Sequence, residues 1–176
     1  MYVDKAIEDM NTSAYSIYVL FETIGYILFN LSKNDKNVIS VYEVKLEPKL
    51  FKIIEENRTD ITGYVFQIFA ALILYRPENR ISDNFRTIFQ SIINDSNWTN
   101  EFKYLAPGQS KVIQAIMTRY PDEIDSSFDQ IFKIYNTLLN EMSLEEHALD
   151  LLGTIVEEYD IGVLAEKIKI ATQLFF

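Results

Sequence analysis

The sequence predicts an all-α protein in which antiparallel pairs of helices stack side by side. Three observations lead to this prediction. Hydrophobic residues make up 48% of the 176 residues, which supplies enough apolar surface for a packed core. Only 5 glycines and 4 prolines occur, fewer than an all-β chain with many tight turns normally contains. The apolar residues recur at spacings of three and four, which is the period of one helix face.

The first predicted helix begins at Ser13, whose side chain can accept a hydrogen bond from the first turn. A second helix is predicted over Val44–Asn57, with Pro48 either near its start or at a kink. The apolar positions of the first helix lie on one face: Ile17, Leu20, Phe21, Ile24 and Leu28.

A third predicted helix begins at Asp60, which can cap it. This helix ends at Arg76-Pro77, because the residue before a proline is disfavoured in the α conformation. Its partner is predicted over Ser82–Asn94. The apolar residues of the third helix include Tyr64, Phe66, Ile68, Phe69, Leu72 and Ile73.

Pro107 is suited to the first turn of another helix, since a helix needs no hydrogen bond from that backbone nitrogen. Tyr120-Pro121 ends this helix as Arg76-Pro77 ends the earlier one. The partner helix is predicted over Pro121–Glu141. The segment Ser143-Leu-Glu-Glu146 matches a capping box and predicts one more helix, whose partner is expected over Ile161–Phe176.

The predicted starts at 13, 60, 107 and 143 are separated by 47, 47 and 36 residues, which is the period of HEAT or armadillo repeats. The sequence therefore predicts a HEAT-repeat solenoid, a right-handed superhelix of about four hairpins over 13–57, 60–94, 107–141 and 143–176. These hairpins form one domain over 1–176. No close repetition of sequence words accompanies the period, so a generic α-helical bundle remains the alternative.

The last residues, Leu174-Phe175-Phe176, are apolar and are followed by no polar cap. Because the terminal units of a solenoid need a polar outer face, we expect the chain to be a fragment of a longer solenoid. An exposed apolar end also favours contact between copies. The chain is therefore expected to be monomeric or weakly self-associating.

The net charge of −10 bears on the kind of partner. Nucleic acids and anionic membranes attract clustered Lys and Arg, so neither is expected as a partner. A basic protein partner is compatible with the charge, which otherwise only keeps the surface soluble. The two most apolar stretches, Ala14–Leu31 and Ile61–Tyr75, are too short or too interrupted for membrane spans and are predicted to be buried helices.

The residue inventory does not favour catalysis. The chain has no cysteine, so thiolate metal sites and cysteine nucleophiles are excluded. It contains no phosphate-binding loop, dinucleotide fingerprint or nucleophile elbow. The single histidine, His147, is expected at a helix surface rather than as a general base, which would need a positioned partner and a pocket. No enzyme activity, cofactor or metal is expected.

Two features remain as candidate binding sites. Asp122, Asp125 and Asp129 recur at spacings of three and four, which places them on one face of the helix predicted over Pro121–Glu141. This acidic face could bind a basic partner or a cation, or could be only a solvated surface. Trp98 lies in a polar loop and is either an interface anchor or a lid that packs the loop onto the core, and we expect the lid.

Several stretches resemble one protein family in the same order along the chain. They are Ser16–Glu22, Asp60–Gln67 with Ile68–Leu74, Trp98 and Leu151–Glu158. Of these, the Tyr-Val-Phe-Gln of an apolar helix is the most specific. From about Ser13 to Leu174 the chain resembles the C-terminal region of export receptors of the karyopherin-β family. The segment Ser96–Gln109, the loop Lys33–Asn37 and the region of Pro48 depart from the family pattern.

The resemblance implies a long HEAT superhelix that carries importin-α out of the nucleus together with the GTP-bound small GTPase Ran. Both would be released after GTP hydrolysis by Ran, so the receptor would shuttle between nucleus and cytoplasm. In such receptors the second helix of each hairpin would line the concave face. An unrelated HEAT or armadillo scaffold or adaptor subunit, outside nuclear transport, is the alternative, and helix periodicity alone does not separate the two.

Overall fold

The structure is a computed structural model that describes residues 14–94, 98, 103–159, 162 and 165. Within these residues it contains seven α-helices and no β-strand, which confirms the predicted all-α class. Turns of 3-10 helix connect some of the α-helices. The helices are α1 (Ala14–Asn34), α2 (Asn37–Glu55), α3 (Thr59–Tyr75), α4 (Asp83–Ile92), α5 (Ala106–Arg119), α6 (Phe128–Leu139) and α7 (Glu145–Glu158).

The odd-numbered helices form one layer, which we call the first layer. In it α3 packs between α1 and α5, and α7 packs on the far side of α5. The even-numbered helices α2, α4 and α6 pack against this layer, and their main contacts are with it rather than with one another. Stacked helical layers of this kind are the architecture of a HEAT-like solenoid, as predicted from the sequence.

Each even-numbered helix packs mainly on the helix that follows it. Helix α2 has more extensive contacts with α3 than with α1, α4 contacts α5, and α6 contacts α7. The most extensive contacts of α2, α4 and α6 are thus with α3, α5 and α7, and the hairpin boundaries expected from the sequence stay a prediction. Capping residues and prolines mark where a helix begins and ends, but they do not say against which neighbour it is buried.

Several predicted helix ends are confirmed. Arg76 follows α3 in an extended conformation, with ψ of 147°, as expected for the residue before a proline. Tyr120, which also precedes a proline, ends α5 outside the α conformation with ψ of 59°, and Pro107 lies in the first turn of that helix. The Oγ of Ser82 accepts a hydrogen bond from the backbone N–H of Phe85 at 3.3 Å and caps α4.

Two predicted caps are wrong. Helix α3 begins at Thr59, and the carboxylate of Asp60 accepts hydrogen bonds from Nε and Nη2 of Arg58 at 3.2 and 3.1 Å. The capping box at Ser143 does not form, since the hydroxyl of Ser143 donates to Oε1 of Glu141 at 3.1 Å and α7 begins two residues later. In both cases a charged neighbour binds the side chain, and charge-assisted hydrogen bonds are stronger than those to backbone amides.

The prediction for α2 is wrong at its start. The helix begins at Asn37 rather than at Val44, because Oδ1 of Asp35 accepts a hydrogen bond from the Asn37 backbone N–H at 2.9 Å and supports the first turn. Pro48 consequently lies in the helix interior, and the peptide bonds of the described residues are all trans. The predicted cap Ser13 and most of the predicted helix Ile161–Phe176 lie outside the described residues.

The two most apolar stretches of the sequence form α1 and α3. Both contribute to the core, and α3 is buried along most of its length. No helix in the described part of the chain is long and apolar enough to cross a membrane. The fully buried residues of α3 include Val65, Phe69, Leu72 and Ile73.

Helices α3 and α5 touch through their backbones at Gly63 and Gly108. A Cβ atom on Gly108 would lie 2.3 Å from the carbonyl oxygen of Gly63 and 2.9 Å from Cβ of Phe66. Only a hydrogen atom fits between the two helices at this point. Glycine at 108 therefore sets the close spacing of the first layer.

A buried ionic network fixes the loop that follows α3. Arg76 lies 3.4 Å from Oε1 of Glu43 on α2 and donates from Nε to Glu78 at 3.1 Å. From the end of α5, Arg119 donates to the carbonyl of Arg76 at 3.1 Å, and the hydroxyl of Tyr120 donates to the carbonyl of Glu78 at 3.0 Å. The network thus ties α2, α3 and α5 together.

Trp98 is a lid, as the sequence predicts. Its ring is half-buried and packs against the core, and its Nε1 donates to the carbonyl oxygen of Ile92 at 2.6 Å. The ring therefore closes the end of α4 and satisfies one of the carbonyls that a helix end leaves without a partner.

Candidate protein-binding surfaces

The predicted acidic face is not formed by one helix. Asp122 and Asp125 lie in separate 3-10 turns, Pro121–Glu123 and Asp125–Ser127, and only Asp129 lies in α6, in its first turn. The prediction of one helix over 121–141 is therefore wrong for its first seven residues. The reason is that the buried side chains of 3-10 and α turns recur at similar spacings, so the sequence pattern does not separate them.

All three aspartates nevertheless face solvent along this acidic segment. Ile124 and Phe128, which alternate with them, are buried and hold the segment on the core. The arrangement presents carboxylates outward on a short irregular stretch rather than as a regular stripe.

The negative charge of Glu123, in the same segment, is balanced by the positive charge of Arg86 on α4. Arg86 donates from Nε and Nη2 to the two carboxylate oxygens of Glu123 at 3.1 and 2.7 Å. The hydrogen bonds from Arg86 hold the pKa of Glu123 below its ordinary value. This bidentate pair joins the acidic segment to α4.

Asp125 also influences the end of α7. Burial raises the pKa of Tyr159 to about 12, and the negative charge of Asp125 acts in the same direction. Since Tyr159 packs edge-on against Phe128, the acidic segment is in contact with the α7 terminus. The segment therefore belongs to a larger surface that includes α7.

The charge of the chain is concentrated in this region. Residues 121–158 contain ten acidic residues and one lysine, whereas residues 1–120 contain fourteen acidic and thirteen basic residues. Almost all of the net charge of −10 thus comes from the segment that contains α6 and α7. A count of charge by segment is the sequence signal that identifies this surface, beyond the three aspartates alone.

A second surface lies on the first layer. Three neighbouring cavities of about 500, 650 and 360 Å³ lie along α1, α3, α5 and α7. Gln67 of α3 lines all three of them. Lys111 of α5 lines two of them. Neither residue was predicted to bind a ligand: Gln67 is the last residue of the Tyr-Val-Phe-Gln stretch, Lys111 belongs to no motif, and only the stacking of helices brings the two together.

Nowhere among the described residues do three His, Cys, Asp or Glu side chains come together so that they could hold a metal ion. His147 lies half-buried in the first turn of α7, beside Glu145 and Glu146, which is the position expected from the sequence. The structure presents two surfaces to other molecules: the acidic surface over residues 121–158 and the row of cavities on the first layer.

Comparison with known proteins gives the family context. Residues 11–176 match the profile of a protein family described as "CAS/CSE protein, C-terminus". Over 150 residues, 84% of this chain, the sequence is 23% identical to a protein of Schizosaccharomyces pombe named importin-alpha re-exporter. The match covers 15% of the length of that relative, so the chain corresponds to a small part of it.

Proposed function

The chain belongs to the family of CAS/CSE proteins, and we propose that it is a segment of a nuclear export receptor that returns importin-α to the cytoplasm. Two findings support this proposal. The family profile covers nearly the whole chain, and the fission yeast relative is named for the re-export of importin-α. Both agree with the resemblance to karyopherin-β export receptors, of which this would be the exportin-2 type.

The proposed mechanism is binding by a flexible solenoid. The complete receptor would hold importin-α together with Ran-GTP and would release both when Ran hydrolyses GTP. It would therefore pass between nucleus and cytoplasm. Because each unit of a solenoid contacts only its neighbours, small rotations between units add up along the stack and allow such a grip to open and close.

Within this chain we assign the contact with importin-α to the acidic surface around Asp122, Asp125 and Asp129. The observation that carries this assignment is the concentration of ten acidic residues between residues 121 and 158. A localised negative potential steers a basic segment of a partner to that surface and fixes its orientation. The side chains of Asp122, Asp125 and Asp129 are all exposed, whereas the carboxylate of Glu123 is held by Arg86.

The test is a titration of importin-α with the receptor that contains this chain, with and without Ran-GTP, at low and at physiological salt. The acidic surface is altered by Asp129→Lys alone and by reversal of Asp122, Asp125 and Asp129 together. Glu55→Lys is the matched control for the single reversal, since Glu55 is exposed on α2 in the electrically balanced part of the chain.

We expect affinity for importin-α to fall on reversal, more steeply at low salt, because exposed charges attract one another less as salt increases. Glu55→Lys should leave the affinity unchanged. Equal effects of Asp129→Lys and Glu55→Lys would contradict the assignment of this surface. Unchanged binding by the triple variant would reduce the segment to a spacer between binding sites elsewhere.

A further inference from the structure

The cavity between α3, α5 and α7 differs in charge from the rest of the chain. Its volume is about 360 Å³, and of the described residues that line it Lys111 alone is charged. The two neighbouring cavities each have a carboxylate in their lining, from Asp60 in one and from Glu22 in the other. The positive charge of Lys111 therefore disfavours a basic ligand in this cavity.

Two polar side chains of this cavity, Lys111 and Gln67, are available for a ligand. Lys111 is exposed and Gln67 is half-buried, and neither side chain forms an ion pair or hydrogen bond with another described residue. By contrast, the Gln114 amide donates to Oγ of Ser110 and the Thr154 hydroxyl donates to a backbone carbonyl of α7. Lys111 and Gln67 also line the adjacent cavity of about 650 Å³ beside α1. The ammonium and the amide thus stand at the junction of two cavities.

The walls of the cavity are apolar on the α3 side, and α7 contributes a single threonine. Leu74 and Tyr75, which are half-buried, form the apolar wall, and Thr154 stands opposite. Apolar walls with a few convergent polar groups are typical of sites that bind a specific ligand. An apolar side chain placed here would be removed from water beside the ammonium of Lys111.

We propose that this cavity binds a protein segment in which one carboxylate is flanked by apolar side chains. The carboxylate would pair with the Lys111 ammonium, and the Gln67 amide would donate to a backbone carbonyl of the segment. The apolar side chains would fill the space beside Leu74 and Tyr75. This inference does not rest on the proposed function, whose acidic surface takes a basic partner, so the two can fail separately.

The test uses the full chain and two short fluorescent peptides, both acetylated and amidated. In one a single glutamate stands between leucine and phenylalanine residues, and in the other a glutamine replaces the glutamate. We expect fluorescence anisotropy to show binding of the glutamate peptide and weaker binding of the glutamine peptide. Lys111→Glu should weaken binding of the glutamate peptide by about tenfold or more, as expected for loss of a charge-assisted contact.

Lys45→Glu is the matched control, because Lys45 is exposed on α2 and the charge changes equally. A second test variant, Ala71→Trp, fills the cavity without a change in charge and should abolish binding of the glutamate peptide. Thermal melts of all variants establish that they are folded. Equal affinity for the two peptides, an unchanged affinity of Lys111→Glu, equal losses with Lys45→Glu, or no binding of either peptide would overturn the proposal.

Discussion

The guanidinium of Arg76 lies 3.4 Å from the carboxylate of Glu43, and both side chains are buried where α2 meets the end of α3. Burial outweighs the attraction of Arg76 and raises the pKa of Glu43 to about 7, with Glu47 and Glu78 acting in the same direction. The pair therefore couples the packing of two helices to proton binding near neutral pH.

The first prediction concerns the pH dependence of stability. The folded protein retains a proton on Glu43 that the unfolded chain, with a pKa near 4.5, has released. The stabilisation by this proton is fully present below the unfolded pKa and is lost as pH rises through about 7. Between about pH 5 and pH 8, the free energy of unfolding should fall by roughly 2 kcal/mol more in the wild type than in Glu43→Gln.

Urea denaturation at several pH values measures this difference. Comparison with Glu43→Gln removes the contributions of the other titrating groups, including Glu78, whose pKa is lowered. If the wild type instead gained stability with rising pH relative to Glu43→Gln, the ion pair with Arg76 would outweigh the cost of burial.

The second prediction concerns the contact between α3 and α5. Gly108→Ala should reduce the free energy of unfolding by about 1–3 kcal/mol, because the added methyl group overpacks the contact with Gly63 and forces the helices apart. Gly153→Ala on α7 is the matched control, since a Cβ there meets nothing within 4 Å. That control should stabilise by about 0.8 kcal/mol through helix propensity. If both substitutions raised the free energy of unfolding equally, α3 and α5 would not be in contact at this point.

The third prediction concerns the hydrogen bond that joins the end of α5 to the loop after α3. Tyr120→Phe removes the hydroxyl that donates to the Glu78 carbonyl and should cost about 1 kcal/mol, the usual net contribution of one hydrogen bond, because the carbonyl keeps only its longer contact with Arg119 at 3.4 Å. Tyr135→Phe is the control, since no hydrogen bond of the Tyr135 hydroxyl to another described residue occurs. Thermal denaturation followed by circular dichroism measures the stability of both variants. Equal melting temperatures of Tyr120→Phe and Tyr135→Phe would argue against the hydrogen bond.

The fourth prediction separates the two contributions of Trp98. Trp98→Phe keeps an aromatic ring but removes the hydrogen bond to the Ile92 carbonyl, and should cost about 1 kcal/mol. Trp98→Ala also removes the ring from the core and should cost about 2–3 kcal/mol in total. Chemical denaturation of both variants measures these values. No loss in either variant would mean that the loop is not held by this side chain.

The helix ends marked by proline were predictable from the sequence because the ring acts on its own backbone. Arg76-Pro77 and Tyr120-Pro121 therefore end helices where expected. The polar caps at Asp60 and Ser143 were not predictable in the same way, because a charged neighbour competes for each side chain. Local sequence shows that such a neighbour exists, but not which hydrogen bond prevails.

Contacts between residues that are far apart in the sequence could not be predicted either. The meeting of Gly63 with Gly108 depends on how α3 and α5 cross, which no local pattern specifies. For the same reason the three aspartates of the acidic surface were found from the sequence, but the cavity at Lys111 and Gln67 was not. The periodicity of apolar residues identifies which face of a helix is buried, yet not the helix that covers it.

The uneven distribution of charge has a consequence for encounters in solution. An electrically balanced body joined to a strongly negative end has a large dipole moment, and a dipole turns in the field of an approaching charge. A cationic protein would therefore meet the α6–α7 end first, already aligned, from distances of about one Debye length, ~8 Å at physiological ionic strength. Orientation would precede contact, and collisions elsewhere on the surface would become less frequent.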